Sequence, residues 1–112
     1  MNSELLHVVT RGNTLEMAIM SEVISAEAGH RLQVHLERAI AARDPHATRA
    51  RLNVSRVLAM SSAGFEALLR LHRACRDAKV ELCMTQPTAD FMGLLARMGF
   101  DRLFSIETGA SA

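Results

Sequence analysis

Residues 52–70 read LNVSRVLAMSSAGFEALLR, and the order of periods along them decides the fold. Leu52 and Val54 alternate with polar neighbours, and Val57 follows after a bend, so 51–57 (RLNVSRV) is predicted as a strand. From Phe65 onward the period lengthens: Phe65, Leu68, Leu69, His72 and Cys75 or Arg76 trace one face of an amphipathic helix. That helix should end near Ala78, before Lys79. Between strand and helix lie Ser61-Ser62-Ala63-Gly64, where either serine can cap the helix through its hydroxyl.

Toward the N-terminus, residues 4–10 (ELLHVVT) are short and apolar, contain Val, and stop at the turn signal Arg11-Gly12-Asn13. Residues 14–21 (TLEMAIMS) put Leu15, Met17 and Ile19 on one face by alternation, which predicts an antiparallel hairpin. Ala28, Leu32, Leu36, Ala39 and Ile40 then recur at helical spacing. Ser25 is the expected N-cap of this helix, Glu27 complements the dipole in its first turn, and the helix should end before Arg43-Asp44-Pro45. Residues 44–50 (DPHATRA) read as a polar surface loop.

Toward the C-terminus, residues 80–84 (VELCM) are predicted as a strand with Val80, Leu82 and Met84 on one side. Pro87 suits the first turn of a further helix, whose apolar stripe is Phe91, Leu94, Leu95 and Met98. Gly99 is the expected C′ residue, with Phe100 packing back. Residues 103–106 can form a last short strand, and 107–112 read as a frayed, flexible tail. The order β-β-α-β-α-β-α, with that last strand, predicts a single α/β domain over residues 1–112 with its core at about 4–106. Its sheet should be mixed and four- to five-stranded, with helices chiefly on one face.

Composition bounds the function. The chain has 112 residues, 49% of them apolar but only 4% aromatic, so its core must come from aliphatic side chains and the seven Met. Thirteen basic against 12 acidic residues leave a formal charge of +1, which creates no field for nucleic acid or an anionic membrane. Cys75 and Cys83 make neither a disulfide framework nor a zinc pattern and read as small buried hydrophobes in a reducing compartment. The first residues (MNSELLHVVTRG) lack a basic region followed by a continuous apolar run, so no secretion signal is expected, and no run is long enough to span a bilayer. The expected location is cytoplasmic.

Catalytic and metal-binding patterns are weak. His30 and His35 are five residues apart, which does not bring them together on one helix face as metal ligands. No Gly-x-Ser-x-Gly elbow supports Ser62 and His72 as a hydrolytic pair. Arg43, Arg49, Arg51 and Arg56 form a mildly basic zone that a solvated loop explains. No cofactor, metal or catalytic residue is therefore expected, and from spacing alone Ser61 and Ser62 read as capping residues. A helix N-terminus nevertheless offers free NH groups and partial positive charge, so a phosphate on a serine there is compatible with the helix.

The segment Val57-Leu58-Ala59-Met60-Ser61-Ser62-Ala63-Gly64-Phe65 resembles the STAS family, and within it the bacterial anti-sigma-factor antagonists. Those proteins carry Asp-Ser-Ser-Gly between a strand and a Leu-rich helix. Leu82-Cys83-Met84-Thr85-Gln86-Pro87 is similar to the family's strand followed by a proline-started helix, and the run from Leu94 to Ile106 is similar to its ending. The resemblance covers about residues 14–106. It implies a non-enzymatic partner-switching protein that binds a serine kinase doubling as an anti-sigma factor, with a serine phosphatase as a further partner. It also implies phosphorylation at Ser62, with Ser61 as the alternative acceptor, and partner binding through Glu22, Ser61, Ser62, Ala63, Gly64, Phe65 and Glu66. Two positions depart from the pattern: Ser61 stands for the family Asp, and Ala63 for the second serine. Near the second strand, Ser21-Glu22-Val23-Ile24 keeps the Glu of a Gly-Glu-Leu-Asp element. These departures leave room for the other reading, a STAS subunit bound constitutively in a lipid-transport ABC complex or a stress-signalling scaffold. The sequence does not specify an oligomeric state.

Overall fold

The computed structural model describes residues 3–108. Strands β1 (Leu6–Arg11) and β2 (Thr14–Ile19) form the expected antiparallel hairpin. Gly12 takes φ 61° at the first loop position, where its missing Cβ makes a left-handed backbone cheap and a two-residue turn closes. Then follow β3 (Val23–Ile24), α1 (Ala26–Ala41), β4 (Arg49–Asn53), β5 (Ala59–Met60), α2 (Ser62–Ala78), β6 (Glu81–Thr85), α3 (Ala89–Arg97), the single-turn α4 (Phe100–Leu103) and β7 (Ser105–Glu107).

The main sheet has five strands in the order β1-β2-β4-β6-β7, and β3 and β5 make a separate parallel pair. Only the β1–β2 pairing in the main sheet is antiparallel. Met17, Leu52 and Met84 lie in register across β2, β4 and β6, and all three are buried. Leu15 and Ala50 extend this layer. The same core takes Leu32, Leu36 and Ile40 from α1, Leu68 and Leu71 from α2, and Phe91 and Leu95 from α3. The opposite face, one residue out of phase, carries the cross-strand pairs Arg49–Glu81 and Arg51–Glu107, each at 3.0 Å. These pairs are half-solvated and contribute about 1 kcal/mol or less each. The architecture is thus a mixed five-stranded sheet with helices chiefly on one face.

Local signals hold where the chemistry is local. Ser25 caps α1, its Oγ accepting from the Ala28 amide at 3.1 Å. Gly99 follows the C-cap of α3 at φ 77°, and the Phe100 ring packs edge-on against Phe65 at 5.5 Å. Cys75 and Cys83 are both buried and free.

Several boundaries differ from the sequence reading. β4 begins at Arg49, inside the expected 44–50 loop, because the Asn13 carbonyl accepts from the Thr48 and Arg49 amides and sets the register with β2. It ends at Asn53, whose side chain accepts from the Ser55 amide at 2.8 Å and turns the chain early. Arg49 and Arg51 are therefore strand residues and not loop residues. Pro87 lies outside α3, since Thr88 is the N-cap and accepts from the Phe91 amide at 3.0 Å. Glu107, expected in the free tail, belongs to β7, and its carbonyl accepts from the Gln86 amide at 2.8 Å. The rest of that tail, from residue 109, lies outside the described residues.

Candidate functional site

The Ser61–Ser62 turn sits where the two-stranded ladder meets α2. The Glu22 carbonyl accepts from the Leu58 and Ala59 amides at 2.7 and 3.1 Å, and the Ile24 carbonyl accepts from the Ser61 amide at 2.8 Å. Val23 pairs with Ala59 and Ile24 with Met60. Two segments 36 residues apart in sequence thus form one short platform, with α1 and α2 both starting from its end. Glu22 and the serine turn share that platform.

The two serines have different tasks. Ser61 has φ −76° and ψ 170°, and its Oγ accepts from the Gly64 amide at 3.3 Å while its carbonyl accepts from the Phe65 amide at 3.1 Å. The cap is therefore Ser61, and an Asp at this position would make the same kind of bond. Ser62 is the first residue of α2, is exposed, and makes no side-chain hydrogen bond within the described residues. The first turn of α2 contains no acidic residue, whereas α1 has Glu27 and α3 has Asp90 there. The positive end of the α2 dipole is thus not offset by a local carboxylate.

The remaining predicted residues divide by burial. Glu66 is exposed one turn beyond Ser62 on the same face, and its carboxylate lies 3.5 Å from Arg70, which also reaches Glu37 at 3.9 Å. Glu22 is exposed and Ala63 half-buried. Gly64 and Phe65 point inward: the Phe65 ring lies 6.2 Å from Phe91 and is only 7% exposed, and a Cβ on Gly64 would strike the Met60 side chain. These two shape the site from beneath and do not form its surface.

The structure adds residues that the sequence did not single out. Val23 is 63% exposed and Leu58 40% exposed, both on the platform next to Glu22. Single exposed apolar side chains are ordinary on a protein surface, and these two are set apart only by their place beside Glu22 and the serine turn. Their exposure could not be read locally, because a two-residue strand shows no alternation. Thr88 is a second addition: its hydroxyl donates to the Val57 carbonyl at 3.0 Å, tying the start of α3 to the loop before the serine turn.

Chemically the arrangement offers one unengaged hydroxyl at a helix start, two carboxylates and an apolar pair. Among the described residues no three His, Cys, Asp or Glu side chains converge as a metal site. A cavity of about 560 Å³ on the open sheet face, lined by His7, Arg11, Glu16 and Asn53 among others, includes none of the platform residues. No helix among the described residues is long and apolar enough to cross a membrane.

Residues 6–111 match the STAS domain family. Among solved structures the chain is similar to TM1081 of Thermotoga maritima, with a TM-score of 0.77 at 11% identity over 93% of this chain and 86% of that one. It is also similar to the anti-sigma factor antagonist SpoIIAA in its unphosphorylated form, with a TM-score of 0.68 at 13% identity over 95% of this chain and 89% of that one. The phosphorylated form of SpoIIAA, described as a Bacillus cell fate determinant, gives a TM-score of 0.66 at 14% identity over 92% of this chain and 91% of that one. No curated protein is similar enough in sequence to count as a match.

Proposed function

We propose that this chain, which belongs to the STAS domain family, is an anti-sigma-factor antagonist in a partner-switching pathway. It works by binding and not by catalysis. In its unmodified form the platform of Glu22, Val23, Leu58, Ser62 and Glu66 docks on a serine kinase that is also an anti-sigma factor. Ala63, Gly64 and Phe65 support this surface from within. The kinase transfers the γ-phosphoryl group of ATP to the Ser62 oxygen, releasing ADP and the hydroxyl proton, and a serine phosphatase restores the hydroxyl.

The observation that carries this reading is the division of labour between Ser61 and Ser62. Because Ser61 makes the cap, the Ser62 hydroxyl can be modified without removing a bond that the helix needs. The vacant dipole at the start of α2 tolerates the added charge. A phosphate brings about 1.5 to 2 negative charges. On a face whose docking buries the apolar Val23 and Leu58, it adds a strongly hydrated group that is costly to desolvate, which releases the partner.

The reading is tested by mixing the purified chain with a serine kinase of the anti-sigma-factor type from the same organism, with and without ATP. The expected result is a complex without ATP and phosphate on Ser62 with it, the phosphorylated form no longer binding. Absence of both binding and transfer would overturn the proposal. A partner that copurifies as an ATPase or scaffold with Ser62 unmodified would replace it with a constitutive subunit.

A further inference from the structure

We infer that Gly29, on the helix facing the serine turn, is a positioning residue for Ser62; this rests on the function proposed above. Gly29 is buried in the second turn of α1. Glycine inside a helix costs about 1 kcal/mol relative to alanine, so its presence there needs a cause. The cause lies across the α1–α2 contact. A Cβ on Gly29 would come within 2.5 Å of the Gly64 nitrogen, 2.7 Å of the Ala63 carbonyl carbon and 2.8 Å of the Ala63 Cβ. The first two are backbone atoms, so no side-chain rotation relieves the overlap.

The backbone that Gly29 touches is the capping turn itself. The Gly64 amide is the donor to Ser61 Oγ, and Ala63 follows Ser62 directly. Gly64 is also confined from another side, because any Cβ there would meet Met60 and Ile24. The start of α2 is thus held between α1 and the β3–β5 ladder. Added volume at Gly29 pushes the Ala63–Gly64 backbone away from α1 while Ser61 stays bonded to the Ile24 carbonyl, and so moves Ser62 relative to Glu22, Val23 and Leu58, which are fixed to the ladder. The half-buried position of Ala63 follows from the same contact: a small side chain fits beneath α1 there.

The test is Gly29→Ala in the whole chain, with Leu36→Val as a control that trims a buried α1 residue away from the turn. In the protein alone, amide hydrogen exchange at Gly64 should quicken at least tenfold in Gly29→Ala relative to the control at matched global stability. With the serine kinase used to test the proposed function, KM for phosphorylation of Ser62 and the dissociation constant should each rise at least tenfold while kcat changes less. Unaltered exchange at Gly64 would overturn the inference, as would quickened exchange with partner affinity equal to the parent's. If the parent itself neither binds nor is phosphorylated, the proposed function falls and the positioning role falls with it, whereas a parent that binds beside a Gly29→Ala variant that binds equally overturns the inference alone. Should Gly29→Ala not fold, Ala63→Val loads the same contact from the α2 side and must give the same pattern.

Discussion

The Thr88 hydroxyl donates to the Val57 carbonyl at 3.0 Å and accepts from the Phe91 amide at 3.0 Å, so one side chain both caps α3 and holds the loop that enters the serine turn. Thr88→Val should remove both bonds and lower stability by about 1–3 kcal/mol, while Thr88→Ser keeps them and costs about 1 kcal/mol or less. Urea denaturation measures the difference. A cost for Thr88→Val no greater than that for Thr88→Ser would show that the hydroxyl does not hold the loop.

Ser61 and Ser62 should separate in stability although they are neighbours. Ser61→Ala deletes the N-cap acceptor and is expected to cost about 1 kcal/mol. Ser62→Ala removes an exposed, unbonded hydroxyl and should stay within about 0.5 kcal/mol of the parent. Thermal melts of both variants decide it, and a reversed order would assign the cap to the wrong serine.

A carboxylate in place of the Ser62 hydroxyl tests the switch apart from the fold. At the first position of α2, Ser62→Asp should leave stability equal or raise it by about 0.3–1 kcal/mol through the dipole. The complex with the kinase should weaken at least tenfold, about 1.4 kcal/mol in binding free energy. Titration calorimetry reads the affinity, and an unchanged value would remove phosphorylation from the mechanism.

The apolar pair on the platform makes a second binding prediction. Val23→Asp and Leu58→Asp should each alter stability by about 0.5 kcal/mol or less, since both side chains are exposed. Each should weaken partner binding at least tenfold. Val34→Asp, on the outer face of α1 and 44% exposed, is the control and should bind like the parent. If the control weakens as much as the pair, the docking surface has been misplaced.

Alkaline pH should weaken the fold through Cys75. Burial pushes its thiol up from 9.0 to about 11, opposed in part by the Arg43 charge. The folded state therefore holds its proton more tightly than the unfolded chain, so this contribution is whole below pH 9 and declines as pH rises toward 11. The loss should approach about 2 kcal/mol. Denaturation of the parent and of Cys75→Ala at pH 8 and pH 10.5 isolates it, and an equal drop in both would assign the loss to other groups.

Much of this architecture was legible in the chain alone because it depends on repeats within a few residues. Alternation of Leu15, Met17 and Ile19, the helical spacing of Leu32, Leu36 and Ile40, the Ser25 cap and the Gly12 and Gly99 turns each follow from local geometry. So does a polar turn before α2. The tertiary structure alone decided which serine caps it, that Val23 and Leu58 stay exposed, that β4 starts at Arg49, and that Gly29 abuts the Ala63–Gly64 backbone. Each of those depends on a contact between segments distant in sequence. Periodicity states which side of an element is apolar, whereas the distance between two backbones is set only when the whole core packs at once.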